Sequence, residues 1–172
     1  MALIKKVKGV APRMGKDCWL ADNATVTGDV RMGDHCTVWF NAVVRGDVHS
    51  IEIGDYTNIQ DGAVIHCTYQ KAATKIGNRV SIAHNAIVHG CTIHDNVLIG
   101  MGAIVMDHAV VHSGAVIAAG AVVLAGTVVE AGCIYAGTPA RKVKETGPEM
   151  LEVIERTADN YVKYASWYDQ ED

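Results

Sequence analysis

Ile93-His94-Asp95-Asn96-Val97-Leu98-Ile99-Gly100-Met101-Gly102-Ala103-Ile104-Val105-Met106-Asp107-His108-Ala109-Val110-Val111 returns an aliphatic residue at every sixth position: Ile93, Ile99, Val105 and Val111. The step continues through Ile117, Val123 and Val129 and closes on Tyr135. Upstream it runs Leu20, Val26, Met32, Val38, Val44, then Ile53, Ile59, Ile65, then Ile76, Ile82, Val88. Six is not a helical return, and a helix would not tolerate the glycines interspersed here. A short strand and a corner consume about six residues, and Gly, Asn and Asp accept the positive φ that a corner needs. Three such units make one triangular coil, and stacked coils set each aliphatic residue about 4.8 Å from its equivalent. The period therefore predicts a mainly β protein, a parallel β-helix of hexapeptide repeats.

The period breaks in three places. Val44 to Ile53 is long by three residues and contains Arg45-Gly46-Asp47. Ile65 to Ile76 is long by five and contains Cys67 to Thr74, and Val88 to Ile93 is short by one. Breaks in a solenoid become loops or kinks on one face, and such loops often carry function. After Arg141 the repeat ends. Thr146-Gly-Pro-Glu149 has the form of a capping box with Pro in the first turn. Leu151, Ile154, Ala158, Tyr161 or Val162, Ala165 and Tyr168 follow at helical spacing. A C-terminal α-helix over about 147–168, packed on the side of a β-helix over about 20–140, completes one domain spanning 1–172.

Composition agrees with this shape. Half the residues are apolar, yet there is one Phe, which suits a narrow interior of stacked β-branched side chains. The net charge of −4 and the lack of a basic cluster argue against nucleic acid or an anionic membrane as partner. Cys18, Cys36, Cys67, Cys91 and Cys133 are odd in number and form no C-x-x-C pair, which reads as reduced packing thiols in a cytoplasmic protein. The N-terminus has no apolar stretch suited to a signal peptide.

Three of the eight histidines fall at the breaks. His66 and His89 each directly follow the aliphatic residue of the third strand of a coil, so equal register stacks their imidazoles on one face. Two nitrogens one strand spacing apart form a clamp for a metal with Zn–N of about 2.0–2.1 Å. His84 belongs to the preceding strand, round a corner, and points from a different face. Completing a site with it requires faces of separate copies to meet, as three-fold packing of triangular prisms allows. His35, His49, His94, His108 and His112 read as solvent-facing residues.

Val44-Arg45-Gly46-Asp47, Thr57-Asn58-Ile59-Gln60-Asp61-Gly62, Ile65-His66, His84 and Val88-His89-Gly90-Cys91-Thr92-Ile93, in this order, resemble the γ-class carbonic anhydrases and their bacterial homologues. The resemblance runs from about Asp22 through the C-terminal helix. It implies a left-handed β-helix, a homotrimer, and metal sites between subunits, with His66 and His89 from one chain and His84 from its neighbour. It also implies interface ion-pair roles for Arg45, Asp47 and Asp61, a hydrogen bond from Gln60 to metal-bound water, and Asn58 as a polar neighbour. Tyr161 or Tyr164 of the C-terminal helix would reach the site. The implied reaction is the reversible hydration of CO2 to bicarbonate by metal-bound hydroxide. Zinc suits three imidazoles, as do ferrous iron and cobalt. Active members carry a glutamate just after the residue matching Asp47, where this chain has Val48, and another in the loop matching Cys67 to Thr74, which here has no carboxylate. A slow enzyme is the corresponding expectation.

Two other readings remain open at this point. Hexapeptide β-helices also host acyltransferases, which share Gly137-Thr-Pro-Ala-Arg141 and use one histidine as general base. A non-catalytic module in which the ion only ties subunits together is the other; structural zinc is normally closed by four protein ligands.

Overall fold

The computed structural model describes residues 1–168. It is a parallel β-helix whose three faces carry the aliphatic series in strict register. On the first face Met14, Met32, Ile53, Ile76, Ile93, Val111 and Val129 stack. On the second, Leu20, Val38, Ile59, Ile82, Ile99, Ile117 and Tyr135 stack. On the third, Ile4, Val26, Val44, Ile65, Val88, Val105 and Val123 stack. Most of these side chains are fully buried and form one continuous core.

The corner between the first and second faces is held by a vertical ladder. Lys16 N–H donates to Asp34 Oδ1 at 2.7 Å, Asp34 N–H to Asp55 Oδ1 at 2.8 Å, Asp55 N–H to Asn78 Oδ1 at 2.8 Å, and Asn78 N–H to Asp95 Oδ1 at 2.7 Å. Each acceptor side chain occupies the space beside a glycine of the neighbouring coil. A Cβ on Gly33 would come within 2.1 Å of Asp55 Oδ1, so the repeated Gly-Asp/Asn pairs serve this ladder. Corners also use residues the period did not single out: His35, Tyr56, Arg79 and His108 all have positive φ. Tyr56 lies between His35, stacked at 4.7 Å, and Arg79, 4.9 Å over its ring; these contacts accompany the left-handed corners.

The breaks in period are absorbed at corners. Val43–Ile53 is one continuous strand that pairs with Thr25–Met32 through a register shift at Gly28/Val30. The insertion at Cys67–Thr74 is a small loop closed by a Thr68–Ala72 bridge. The C-terminal helix α1 spans Pro148–Ala165 and buries Ile154, Ala158 and Ala165, lying against Thr37–Val38 and Ser81–Ile82 of the second face. The expected capping box does not form. The N-cap is Gly147, with no side-chain capping bond, so the box is one residue out of register. Thr146 Oγ1 instead donates to Gly114 O at 3.2 Å, tying the linker to the solenoid. No helix among the described residues is long and apolar enough to cross a membrane.

Because each rung is packed from above and below, truncating one leaves a cavity that its neighbours cannot fill. Ile82→Ala, at a fully buried position between Ile59 and Ile99, is expected to lower stability by about 2–5 kcal/mol. Leu124→Ala, at an exposed position, is expected to cost under about 0.5 kcal/mol. Equilibrium denaturation in urea at fixed protein concentration measures both.

Candidate metal centre

The register that builds the core also sets His89 directly over His66. Both residues end strands of the third face, Val64–His66 and Ile87–His89. Their rings are 5.1 Å apart and tilted by 57°, which brings His66 Nδ1 to 3.1 Å from His89 Nε2. The stacked pair His94 and His112 is different: its rings are 5.0 Å apart and within 10° of parallel, so its nitrogens do not converge.

Carboxylates hold the outer nitrogens of the converging pair. His66 Nε2 lies 3.0 Å from Asp47 Oδ1, and His89 Nδ1 lies 2.6 Å from Asp107 Oδ1. Partial burial works against the charged form of Asp47, but hydrogen bonds from His66 and Arg45, with the Arg45 charge, outweigh it and hold the carboxyl below the usual range. At Asp107, too, burial is outweighed, here by hydrogen bonds from Thr68 and His89. An ionised carboxylate only accepts hydrogen bonds, so the ring nitrogen facing it donates. With both rings neutral, His66 Nδ1 and His89 Nε2 would each turn a lone pair toward the other at 3.1 Å. Either a metal ion between them or a proton shared as an N–H···N hydrogen bond satisfies two such nitrogens at that distance. The edge of a tetrahedron with Zn–N bonds of about 2.0–2.1 Å is about 3.4 Å, so the pair fits two ligand positions on one ion after a small opening.

His84 stands at the opposite edge of the third face, with Nδ1 2.9 Å from Asp61 Oδ2. Four residues separate it from His89, and the chain turns at His84–Asn85 before the strand Ile87–His89 begins. Among the described residues of one chain, no group of three or more His, Cys, Asp or Glu could hold a metal ion. The sequence-derived residues thus form two half-sites. Arg45, Asp47, His66 and His89 occupy one edge, where Arg45 NH1 bonds Asp47 Oδ2 at 2.7 Å. Asp61, His84, Tyr161 and Tyr164 occupy the other, lining an open pocket of about 260 Å³ with Trp39 and Phe40. Burial, then the nearby Asp61 and Tyr164, push the Tyr161 phenol up to about 12, so it stays a hydrogen-bond donor. Gln60 and Asn58 are buried on the second face; Gln60 Nε2 donates to Asn58 Oδ1 at 3.0 Å, and Asn58 Nδ2 to Ser81 Oγ at 2.8 Å.

Asp107 and Thr68 did not emerge from the repeat. Asp107 sits one coil beyond Gly90, where a Cβ would meet its Oδ1 at 2.5 Å. That is the same glycine-beside-carboxylate relation as in the corner ladder, and it is the sequence signal that points to Asp107. The neighbouring cysteines are packing groups: burial pushes the Cys67 thiol up and the Cys91 thiol to about 12.

Known proteins share this arrangement of chain. The hexapeptide-repeat model "Bacterial transferase hexapeptide (six repeats)" matches residues 11–46 and 90–125. A "Probable carbonic anhydrase" of Methanocaldococcus jannaschii is 44% identical over 150 residues, covering 87% of this chain and 94% of that protein. "Gamma carbonic anhydrase 2, mitochondrial" of Arabidopsis thaliana is 35% identical over 160 residues, covering 90% of this chain and 58% of that protein. The crystal structure of a hexapeptide transferase family protein from Anaplasma phagocytophilum superposes with a TM-score of 0.92 at 37% identity, covering 96% of this chain and 98% of that one. With these identities over most of its length, the chain belongs to the γ-class carbonic anhydrase family of hexapeptide-repeat proteins.

Proposed function

We propose that the protein is a metal-dependent carbonic anhydrase-like lyase that interconverts CO2 and bicarbonate as a homotrimer. The observation that carries the reading is the pair of ring nitrogens on His66 and His89, facing at 3.1 Å, with a carboxylate on the far nitrogen of each ring. His84, backed by Asp61, supplies the third imidazole from a neighbouring copy. The outward residues of the third face support that contact. Val43, Val64, Ile87, Ile104 and Val122 stack in register between the two half-sites, an apolar ladder suited to burial against another copy. Three such faces, each meeting the next, close a ring with a site at every junction.

A divalent ion there, zinc or alternatively ferrous iron or cobalt, would supply a Lewis acid that turns water into a nucleophile near neutral pH. The chain's own groups do the rest. The carboxylates Asp47, Asp61 and Asp107 fix ring orientation. Tyr161 offers a phenolic donor on the His84 side, and Trp39 and Phe40 give the pocket an apolar wall that suits CO2. Gln60, anchored by Asn58, is the amide that orients the attacking oxygen. With Val48 in place of a carboxylate, proton export relies on solvent, which favours slow turnover.

The acyltransferase alternative draws on the hexapeptide transferase name of its structural relative. It would employ one His–Asp pair as base, such as His84–Asp61, and gives the facing His66–His89 pair no task. Binding of acetyl-CoA in calorimetry would favour it over the lyase.

Elemental analysis is expected to find about one ion per chain in protein purified without added metal. His84→Ala is expected to drop CO2 hydration to background in stopped-flow assays, and full activity of a metal-stripped sample would defeat the reading. Asp61→Ala, which loosens His84, is expected to lower activity about 10- to 100-fold.

A shared site makes a sharper demand. His84→Ala chains keep His66 and His89, and His66→Ala chains keep His84. Co-refolded mixtures of the two inactive variants are therefore expected to regain activity, since some junctions combine intact halves. No recovery from a mixture shown by native mass spectrometry to contain mixed trimers would rule out sharing.

A further inference from the structure

We propose that Thr68 and Asp107 are positioning residues for His89, and that the inserted loop Cys67–Thr74 is a strut that sets which nitrogen of His89 faces the ion. The inference rests on the metal-dependent reading above for the ion, but its geometry stands in the chain alone.

The strut is a relay of three groups from three coils. Thr68 Oγ1 donates to Asp107 Oδ2 at 2.5 Å, and His89 Nδ1 donates to Asp107 Oδ1 at 2.6 Å. Each carboxylate oxygen is thus engaged by a different donor, so the carboxylate cannot rotate without breaking one of them. With Nδ1 committed as a donor, Nε2 carries the lone pair, and Nε2 is the nitrogen aimed at His66 Nδ1. Without the Thr68 anchor, Asp107 could swing toward solvent and His89 could exchange tautomers.

The foot of the loop is built to hold Thr68 still. Thr68 and Ala72 exchange backbone bonds of 3.1 and 3.2 Å. Thr74 Oγ1 donates to His66 O at 2.5 Å and accepts from Gly90 N–H at 2.9 Å. The loop is therefore tied to both strands that carry the facing histidines, while its tip, Tyr69, is 56% exposed. The missing residue after Val88 completes the slot. Gly90, at φ +58°, lets the chain pass where a Cβ would strike Asp107 Oδ1 at 2.5 Å and Ala72 Cβ at 2.8 Å. An insertion in one coil and a deletion in the next thus produce one device.

The test uses Thr68→Val, Thr68→Ser and Asp107→Asn in the full chain, with Asp47→Asn as a control that acts on His66. Two readouts are taken: zinc affinity by competition with a chromophoric chelator, and the imidazole nitrogen shifts of His89 in metal-free, 15N-labelled protein. Asp107→Asn is expected to weaken zinc binding about 10- to 100-fold, Thr68→Val to weaken it less, and Thr68→Ser to restore it. The His89 shifts should report an Nδ1–H tautomer in the wild type and in Asp47→Asn, and a mixture in Thr68→Val and Asp107→Asn. Unchanged affinity and unchanged tautomer in both of those variants, with native circular dichroism, would overturn the proposal. A wild type that binds no zinc, iron or cobalt would instead overturn the metal-dependent reading, and the tautomer measurement would still decide for or against the strut.

Discussion

In-register parallel stacking is the constraint on which everything else in this molecule depends. The prism is narrow, so each coil contributes to each face one inward residue of the repeat and, two positions before it, a second buried side chain such as Ala63, Val97 or Ile51, and burying a full-sized aliphatic side chain contributes about 1.5–3 kcal/mol. A slip of one residue in any coil would turn its inward residues out and its outward ones in. Variation in coil length is therefore confined to corners, where Asp47–Ser50 bulging opposite Asp29, Gly90 and the Cys67–Thr74 loop take it up. The rule that keeps Val88 over Ile65 also keeps His89 over His66. The site inherits its precision from the core.

That inheritance creates an electrostatic problem, and the problem is informative. Two imidazole nitrogens are fixed face to face, with a carboxylate hydrogen-bonded to the far nitrogen of each ring. Local arrangements that cost stability and yet persist because the scaffold over-determines them concentrate at functional sites. Asp47 and Asp107 are held ionised despite partial burial, so the arrangement resists relief by moving a proton onto either carboxylate. A cation between the rings would relieve it directly.

Much of this was legible in the residues because the period is rigid. The six-residue step placed the inward residues, and the offset of one after Ile65 and Val88 placed the histidine pair. What escaped was whatever depends on side-chain reach between coils. Thr146 has the right spacing for a capping box, yet its hydroxyl goes to Gly114 O, because the end of the solenoid offers a nearer acceptor. Asp107 looked like one more corner residue, since corners are where Asp is expected. Its role depends on an absent side chain at Gly90 and on a hydroxyl thirty-nine positions earlier in sequence. Tyr56, His35 and Arg79 occupy left-handed corners in place of Gly or Asn, in stacked contact with one another, which no local propensity scale encodes.

The geometry of a triangular prism also explains why the two half-sites lie apart. Outward side chains on a convex surface diverge, and only vertical neighbours on one edge, such as His66 and His89, can converge. A third ligand from the same chain would have to come from a third coil on the same edge, giving a line of ligands and not a tetrahedron, or from another edge, across the width of a face. A tetrahedral ion with an open position therefore needs a second convex surface facing the first. The apolar ladder from Val43 to Val122 lies between the edges that would have to meet, and in the proposed trimer its packing against another copy would bring the edge of His84 to the edge of His66 and His89. In that proposed assembly, the burial that would drive association and the completion of the coordination sphere would be one event.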